Sequence, residues 1–163
     1  MGGANSDVSP RGKLRLLVQL LLGFIAGAIY PLAFAPFHFW PLTFASVAAL
    51  FWLLSRAQVW MPLIAWVFGL GKYAVGVSWI YVSIHEYGGA SPLLAGFMVA
   101  VFVAFMALFC LPIGWFLGNL KASNHNISNP VLAMGFVATW VLMEWMLTWF
   151  LTGFPWLFAG YSM

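Results

Sequence analysis

The sequence predicts an all-α fold, a polytopic transmembrane helical bundle of about five spans with a cytoplasmic N-terminus. Composition, the lengths of the apolar runs and the placement of the cations predict it. Hydrophobic residues make up 64% of the 163 residues and charged residues only 6%, against roughly a quarter charged in an ordinary soluble domain. Such a chain has too little polar surface for a water-soluble fold. The net charge of +3 comes from six Lys or Arg against three acids, so there is no basic surface for nucleic acid.

Apolar runs of bilayer length fall at Leu14–Ala33, Leu42–Leu54, Trp60–Ile84, Leu93–Leu117 and Val131–Leu151. The second run is short: either it crosses by recruiting flanking residues such as Phe39, Trp40 and Pro41, or it is a re-entrant or tilted piece, which leaves a count of four or five spans. This gives a cytoplasmic tail over residues 1–13 and one membrane domain over 14–163. Lys and Arg are retained on the cytoplasmic side of short loops. Arg11, Lys13 and Arg15 precede or open the first run, Arg56 separates the second from the third, and Lys121 separates the fourth from the fifth. With five crossings all of them share one side, whereas four crossings scatter them. The opposite loops, Ala35–Pro41 and His85–Pro92, contain no Lys or Arg. The basic start and the Ala33-Phe34-Ala35 triplet mimic a cleavable leader, but the apolar core is too long and Pro36 would follow the cut, so retention as an anchor is expected.

Gly23 with Gly27, and Gly114 with Gly118, have the spacing that lets membrane helices approach closely. Trp40, Trp60, Trp79 and Trp156 fall near the ends of runs, where an interfacial belt would place them.

Ionisable groups inside a membrane are costly and therefore functional candidates. Lys72 and Glu144 both rise roughly 18–20 Å from the cytoplasmic ends of their runs at 1.5 Å per residue, which makes them candidates for an ion pair between the third and fifth runs, with a substrate role as the alternative to a structural one. Its bland role is to lock two helices together. His38, His85 and His125 occupy three separate loops without metal-ligand spacing, so no metal site is expected. The loop His85-Glu86-Tyr87-Gly88-Gly89 sets an acid, an imidazole and a phenol beside two permissive glycines. It suits either substrate contact or the headgroup region. Cys110 lies in apolar sequence with no base nearby and reads as a packing residue. No nucleophile elbow, phosphate-binding loop or His-Glu-x-x-His motif occurs.

Two stretches are more specific: Gly76-Val77-Ser78-Trp79-Ile80-Tyr81-Val82-Ser83-Ile84-His85-Glu86-Tyr87-Gly88-Gly89, and Leu151-Thr152-Gly153-Phe154-Pro155-Trp156-Leu157 with Gly160-Tyr161-Ser162. Both resemble the apolipoprotein N-acyltransferases of the bacterial inner membrane. Leu32-Ala33-Phe34-Ala35-Pro36-Phe37 with Trp40-Pro41 is similar to that family's first outer loop, and Glu144 falls where its members carry a Glu. The family often has an Arg three residues further on, where this chain has Leu147.

The resemblance implies transfer of an acyl chain from a phospholipid donor to the lipidated N-terminal cysteine of an apolipoprotein acceptor, by a ping-pong reaction through a Cys thioester with a Glu base and a Lys stabiliser. It implies no cofactor. That triad belongs to a nitrilase-like periplasmic domain following the membrane region, and the sequence ends at Met163, so a truncated domain, inactive alone, is expected. Cys110, Glu144 and Lys72 do not match the triad. The lipid-contacting candidates are Trp79, Tyr81, His85, Glu86, Tyr87, Phe154, Pro155 and Trp156. The competing readings are a small membrane transporter or assembly partner without catalysis, and a relative that recruits a separate transferase. A downstream frame encoding Glu, Lys and Cys in a nitrilase-like domain separates them.

Overall fold

The computed structural model describes residues 10–124, 126–150 and 153–162, so His125, the Leu151-Thr152 start of the C-terminal motif, and most of the N-terminal tail lie outside the described residues. Every regular element among the described residues is helical. Helix α1 (Pro10–Ile29) runs into a 3₁₀ turn (Tyr30–Ala33) and is followed by α2 (Pro41–Arg56) and α3 (Met61–Gly76). A short α4 (Trp79–Val82) continues as a π-helical turn (Ser83–Tyr87). Then come α5 (Pro92–Ala107), α6 (Leu111–Ser123) and α7 (Asn129–Leu147). Pro41, Pro62, Pro92, Pro112 and Pro130 stand in the first turns of α2, α3, α5, α6 and α7. A proline loses nothing there, because first-turn N–H groups have no intrahelical partner.

Contacts between helices give the direction of each. Arg15 Nη2 donates to Arg56 O at 3.2 Å and Ser46 Oγ to Ala26 O at 2.6 Å, so α2 runs back along α1. Helix α3 runs parallel to α1: a Cβ on Gly23 would lie 3.4 Å from Ile64 O, and one on Gly27 would overlap Phe68 O. A Cβ on Gly114 would overlap Met61 O, and one on Gly69 would sit 2.9 Å from Ala107 Cα, so α5 and α6 descend along α3. Lys121 Nζ then reaches Ser55 O at 2.9 Å and Ala57 O at 2.7 Å, capping the carbonyl end of α2. Helical passes therefore alternate in direction, and Arg15, Arg56 and Lys121 converge at one end.

Three helical runs are long and apolar enough to cross a membrane: Gly12–Ala33, Pro92–Ser123 and Asn129–Leu147. At 16 residues, α2 spans only about 24 Å by helical rise, short of a roughly 30 Å hydrocarbon core. The 32-residue run Pro92–Ser123 is interrupted by a 3₁₀ turn at Leu108–Cys110. Pro112 lacks the N–H that would continue the α-helical ladder to Leu108 O. Bulky apolar side chains such as Leu14, Leu17, Leu21, Val137 and Val141 face outward, as expected of a bundle whose solvent is lipid.

The run Trp60–Ile84, expected as one span, is instead broken, with a bend of 51° between Met61–Gly76 and Trp79–Tyr87. In a continuous α-helix Ile80 N–H would bond to Gly76 O. It bonds to Val77 O at 3.0 Å, and Gly76 O accepts from Trp156 Nε1 at 3.1 Å. Gly76 also has no side chain where the Leu157 side chain packs. Counted with this bent pair, the runs of crossing length number up to four.

Candidate functional site

At the end of the bundle away from the three cations, the C-terminal segment folds back over the outer ends of α1, α3 and α7. Phe154 N–H donates to Leu147 O at 2.7 Å, and Gly153 adopts φ +82° where any Cβ would overlap Thr148 O. Only glycine suits that reversal. Three further bonds hold the segment down: Tyr30 Oη to Leu157 O at 3.1 Å, Trp156 Nε1 to Gly76 O, and Ala159 N–H to Glu144 Oε1 at 2.8 Å.

Between this segment, the Phe34–His38 loop and the outer end of α3 lies a pocket of about 530 Å³. Phe34, Phe37 and His38 form one wall, and Trp79, Trp156 and Tyr161 another. The Trp79 and Trp156 rings lie 5.6 Å apart, and both are about half exposed, so the aromatic wall reaches the protein surface. His38 and Leu157, in opposite walls, have φ of 53° and 60°. Left-handed backbone is uncommon for non-glycine residues and persists only where surrounding contacts enforce it, often at ligand-binding positions.

The structure divides the candidates named from the sequence. Trp79, Pro155 and Trp156 line the pocket, with Phe154 behind them, its ring 6.3 Å from Trp156 and 5.4 Å from Phe102. Tyr81, His85, Glu86 and Tyr87 belong to the neighbouring helical turn and do not line it. There His85 Nδ1 donates to Ala90 O at 2.8 Å, its ring lies 5.5 Å from Tyr81, and Nε2 stands 3.7 Å from Glu86 Oε1. The Glu86 and Tyr87 side chains are exposed. The sequence reading assigns no site role to Phe34, Phe37, His38 or Tyr161. Phe34, Phe37 and Tyr161 lie in the stretches that carry the resemblance, which is the signal that points to them.

Lys72 and Glu144, the candidate partners, form no ion pair within 4.0 Å among the described residues. Lys72 is fully buried, and its Nζ has no hydrogen-bond partner among them. It sits instead in an aromatic box, 4.5 Å from the Tyr30 ring, 5.2 Å from Trp140 and 5.3 Å from Tyr73. Ring faces attract a cation, by about 2 kcal/mol or more once water is excluded. Trp140 touches both charged residues, because its Nε1 donates to Glu144 Oε1 at 3.0 Å. Glu144 Oε1 thus accepts from both Trp140 and Ala159, and couples the helical core to the C-terminal segment. Cys110 is buried, with Sγ 3.9 Å from Met143 Sδ, packed rather than poised for attack. Among the described residues no three His, Cys, Asp or Glu side chains cluster to hold a metal.

Fold and pocket together define an all-α polytopic membrane domain carrying an aromatic pocket at one end. The chain belongs to the apolipoprotein N-acyltransferase family: the model of the apolipoprotein N-acyltransferase N-terminal domain matches residues 26–163. It is 45% identical over 147 residues to the apolipoprotein N-acyltransferase of Pseudomonas paraeruginosa, covering 87% of this chain and 28% of that protein. It is 46% identical over 147 residues to that of Azotobacter vinelandii, covering 87% and 27%. With that of Vibrio cholerae the identity is 39% over 149 residues, covering 91% and 29%. The chain spans less than a third of the length of these relatives.

Proposed function

We propose that this chain is the membrane part of an enzyme that transfers an acyl chain from a phospholipid to the N-terminal diacylglyceryl-cysteine of apolipoproteins, and that the aromatic pocket receives the donor lipid. The observation that carries the reading is the pocket of about 530 Å³ walled by Trp79 and Trp156 at the end of the bundle opposite its cations. Amphipathic rings suit the headgroup level, where an acyl chain must be held while its ester remains wet. The cations at the far end support a reading in which the N-terminus is inside, the pocket faces the periplasmic leaflet of the inner membrane, and α2, although short, makes a fifth crossing beside the four runs of crossing length. The thiolate chemistry then belongs to a nitrilase-like domain, and these residues admit and orient lipid without transferring an acyl chain themselves.

The test uses the chain in lipid nanodiscs containing a phospholipid with a photoreactive acyl terminus. Cross-links are expected to concentrate on peptides containing Phe37, Trp79 and Trp156. Trp156→Ala is expected to cut them roughly tenfold, the worth of a lost aromatic contact of about 1.4 kcal/mol. In a chimera that carries this chain in place of the matching part of the Pseudomonas paraeruginosa enzyme, the same substitution is expected to lower acyl transfer. Unchanged transfer together with unchanged labelling would sink the assignment.

A further inference from the structure

On another face of the bundle, two contiguous depressions run along the seam between α1 and α2, down to the end that carries Arg15 and Arg56. The deeper-lying one, about 280 Å³, is lined by apolar and small side chains including Ile25, Ala26, Ala45 and Ala49. Its single hydroxyl, that of Ser46, is already donated to Ala26 O. The second depression, about 470 Å³, shares Leu22, Trp52 and Leu53 with the first and ends at Arg15 and Arg56. The result is one groove, apolar from Leu22 to Ile29, with Gln19 and the two arginines toward its mouth. From Arg15 to Ile29 it follows α1 for about 21 Å by helical rise, more than the roughly 15 Å depth of one leaflet.

Each guanidinium has one contact within the bundle. Arg15 spends one donor on Arg56 O at 3.2 Å, and the Arg56 guanidinium lies 4.9 Å over the Trp52 ring. Neither has an acidic partner among the described residues, whose carboxylates, Glu86 and Glu144, lie near the other end of the bundle. A guanidinium carries five N–H donors in a planar fork that matches a phosphate. Two of them on one rim, with no acidic partner among the described residues, suit an anion, and the apolar groove leading away from them suits a hydrocarbon chain.

We infer that the α1–α2 groove binds an anionic phospholipid, with its phosphate on Arg15 and Arg56 and one acyl chain laid along Leu22, Ile25, Ala45 and Ala49. This site is separate from the aromatic pocket. It makes the lipid a structural ligand of the leaflet on the side of Arg15 and Arg56, completing a seam that α1 and α2 leave unfilled.

Native mass spectrometry of the delipidated chain in detergent, with phosphatidylglycerol and phosphatidylcholine competing at equal concentration, tests it. Phosphatidylglycerol adducts are expected to exceed phosphatidylcholine adducts by roughly tenfold to thirtyfold, the worth of two interfacial arginines. Arg15→Gln with Arg56→Gln is expected to bring the ratio close to parity. Ala45→Trp, which fills the exposed side of the groove and leaves both arginines, is expected to lower adduct formation with either lipid. Lys13→Gln, outside the groove, is expected to leave the ratio unchanged. Circular dichroism identifies which variants are folded. Parity in the unaltered chain overturns the inference, as does a preference that persists in the folded double arginine variant. Normal binding by the Ala45→Trp variant removes the groove, and binding of soluble glycerol phosphate as tight as the lipid's removes the acyl chain.

Discussion

Replacing Gly27 with alanine is expected to lower the unfolding free energy by about 3 kcal/mol, the upper part of the range for overpacking a tight core. A methyl group there would overlap Phe68 O and lie 2.9 Å from Lys72 N, so it meets main chain on both counts. Backbone cannot rotate away as a side chain can. Gly71 faces the same crossing from the other helix, where a Cβ would overlap Phe24 O and stand 2.9 Å from Ala28 N. Either substitution forces α1 and α3 apart, which loosens the buried contacts among Ala26, Ile64 and Phe68. Because one separation relieves both clashes, the double variant is expected to cost less than the sum of the singles. Tryptophan fluorescence during titration with a denaturing detergent measures the loss. Gly96→Ala is the control, since a Cβ there meets nothing within 4 Å. Equal stability of the Gly27 and Gly96 variants would refute the close crossing.

Glu144→Ala is expected to release the C-terminal segment while leaving the helical core folded. The carboxyl accepts from Ala159 N–H at 2.8 Å and from Trp140 Nε1 at 3.0 Å, and its removal strands both donors. An unsatisfied part-buried donor costs about 1–3 kcal/mol. Amide hydrogen exchange across Leu157–Ser162 is therefore expected to accelerate about thirtyfold, with α1 and α3 amides unchanged. Glu144→Gln keeps an acceptor oxygen and is expected to retain most of the protection. Lipid labelling near Trp156 is expected to fall with the exchange protection, since the segment forms one wall of the pocket. Unaltered exchange at Ala159 in the alanine variant would show that Tyr30 and Trp156 suffice to hold the segment.

The apolar runs were legible because bilayer thickness imposes a length on them, whatever their neighbours. Arg15, Arg56 and Lys121 were legible for a related reason: charge is excluded from hydrocarbon, so it collects at one end of the bundle. The break after Gly76 was not, because its cause is an indole 80 residues further along. The Gly27–Gly71 crossing was half legible. A four-residue spacing flags glycines within one helix but cannot name the glycine opposite. For Lys72 the estimate of depth along the helix did not reveal the partner, since Tyr30, Tyr73 and Trp140 come from three separate stretches and offer ring faces rather than a carboxylate. In the pocket, Trp79 and Trp156 stand out as aromatics at run ends, whereas His38 enters only because the loop after α1 folds against a segment more than a hundred residues away.

The indole of Trp156 that holds the α3 break also sets an order on how the chain is made. Met61–Gly76 and Trp79–Tyr87 pass together as a crossing segment, and Gly76 O has a helical partner available in Ile80 N–H until Trp156 takes it. Synthesis at 5–20 residues per second leaves roughly 4–16 s between the two positions. During that interval nothing from the C-terminal segment competes for Gly76 O. The contact between Gly76 O and the indole, and the wall that Trp156 forms with Trp79, therefore wait on the synthesis of that residue.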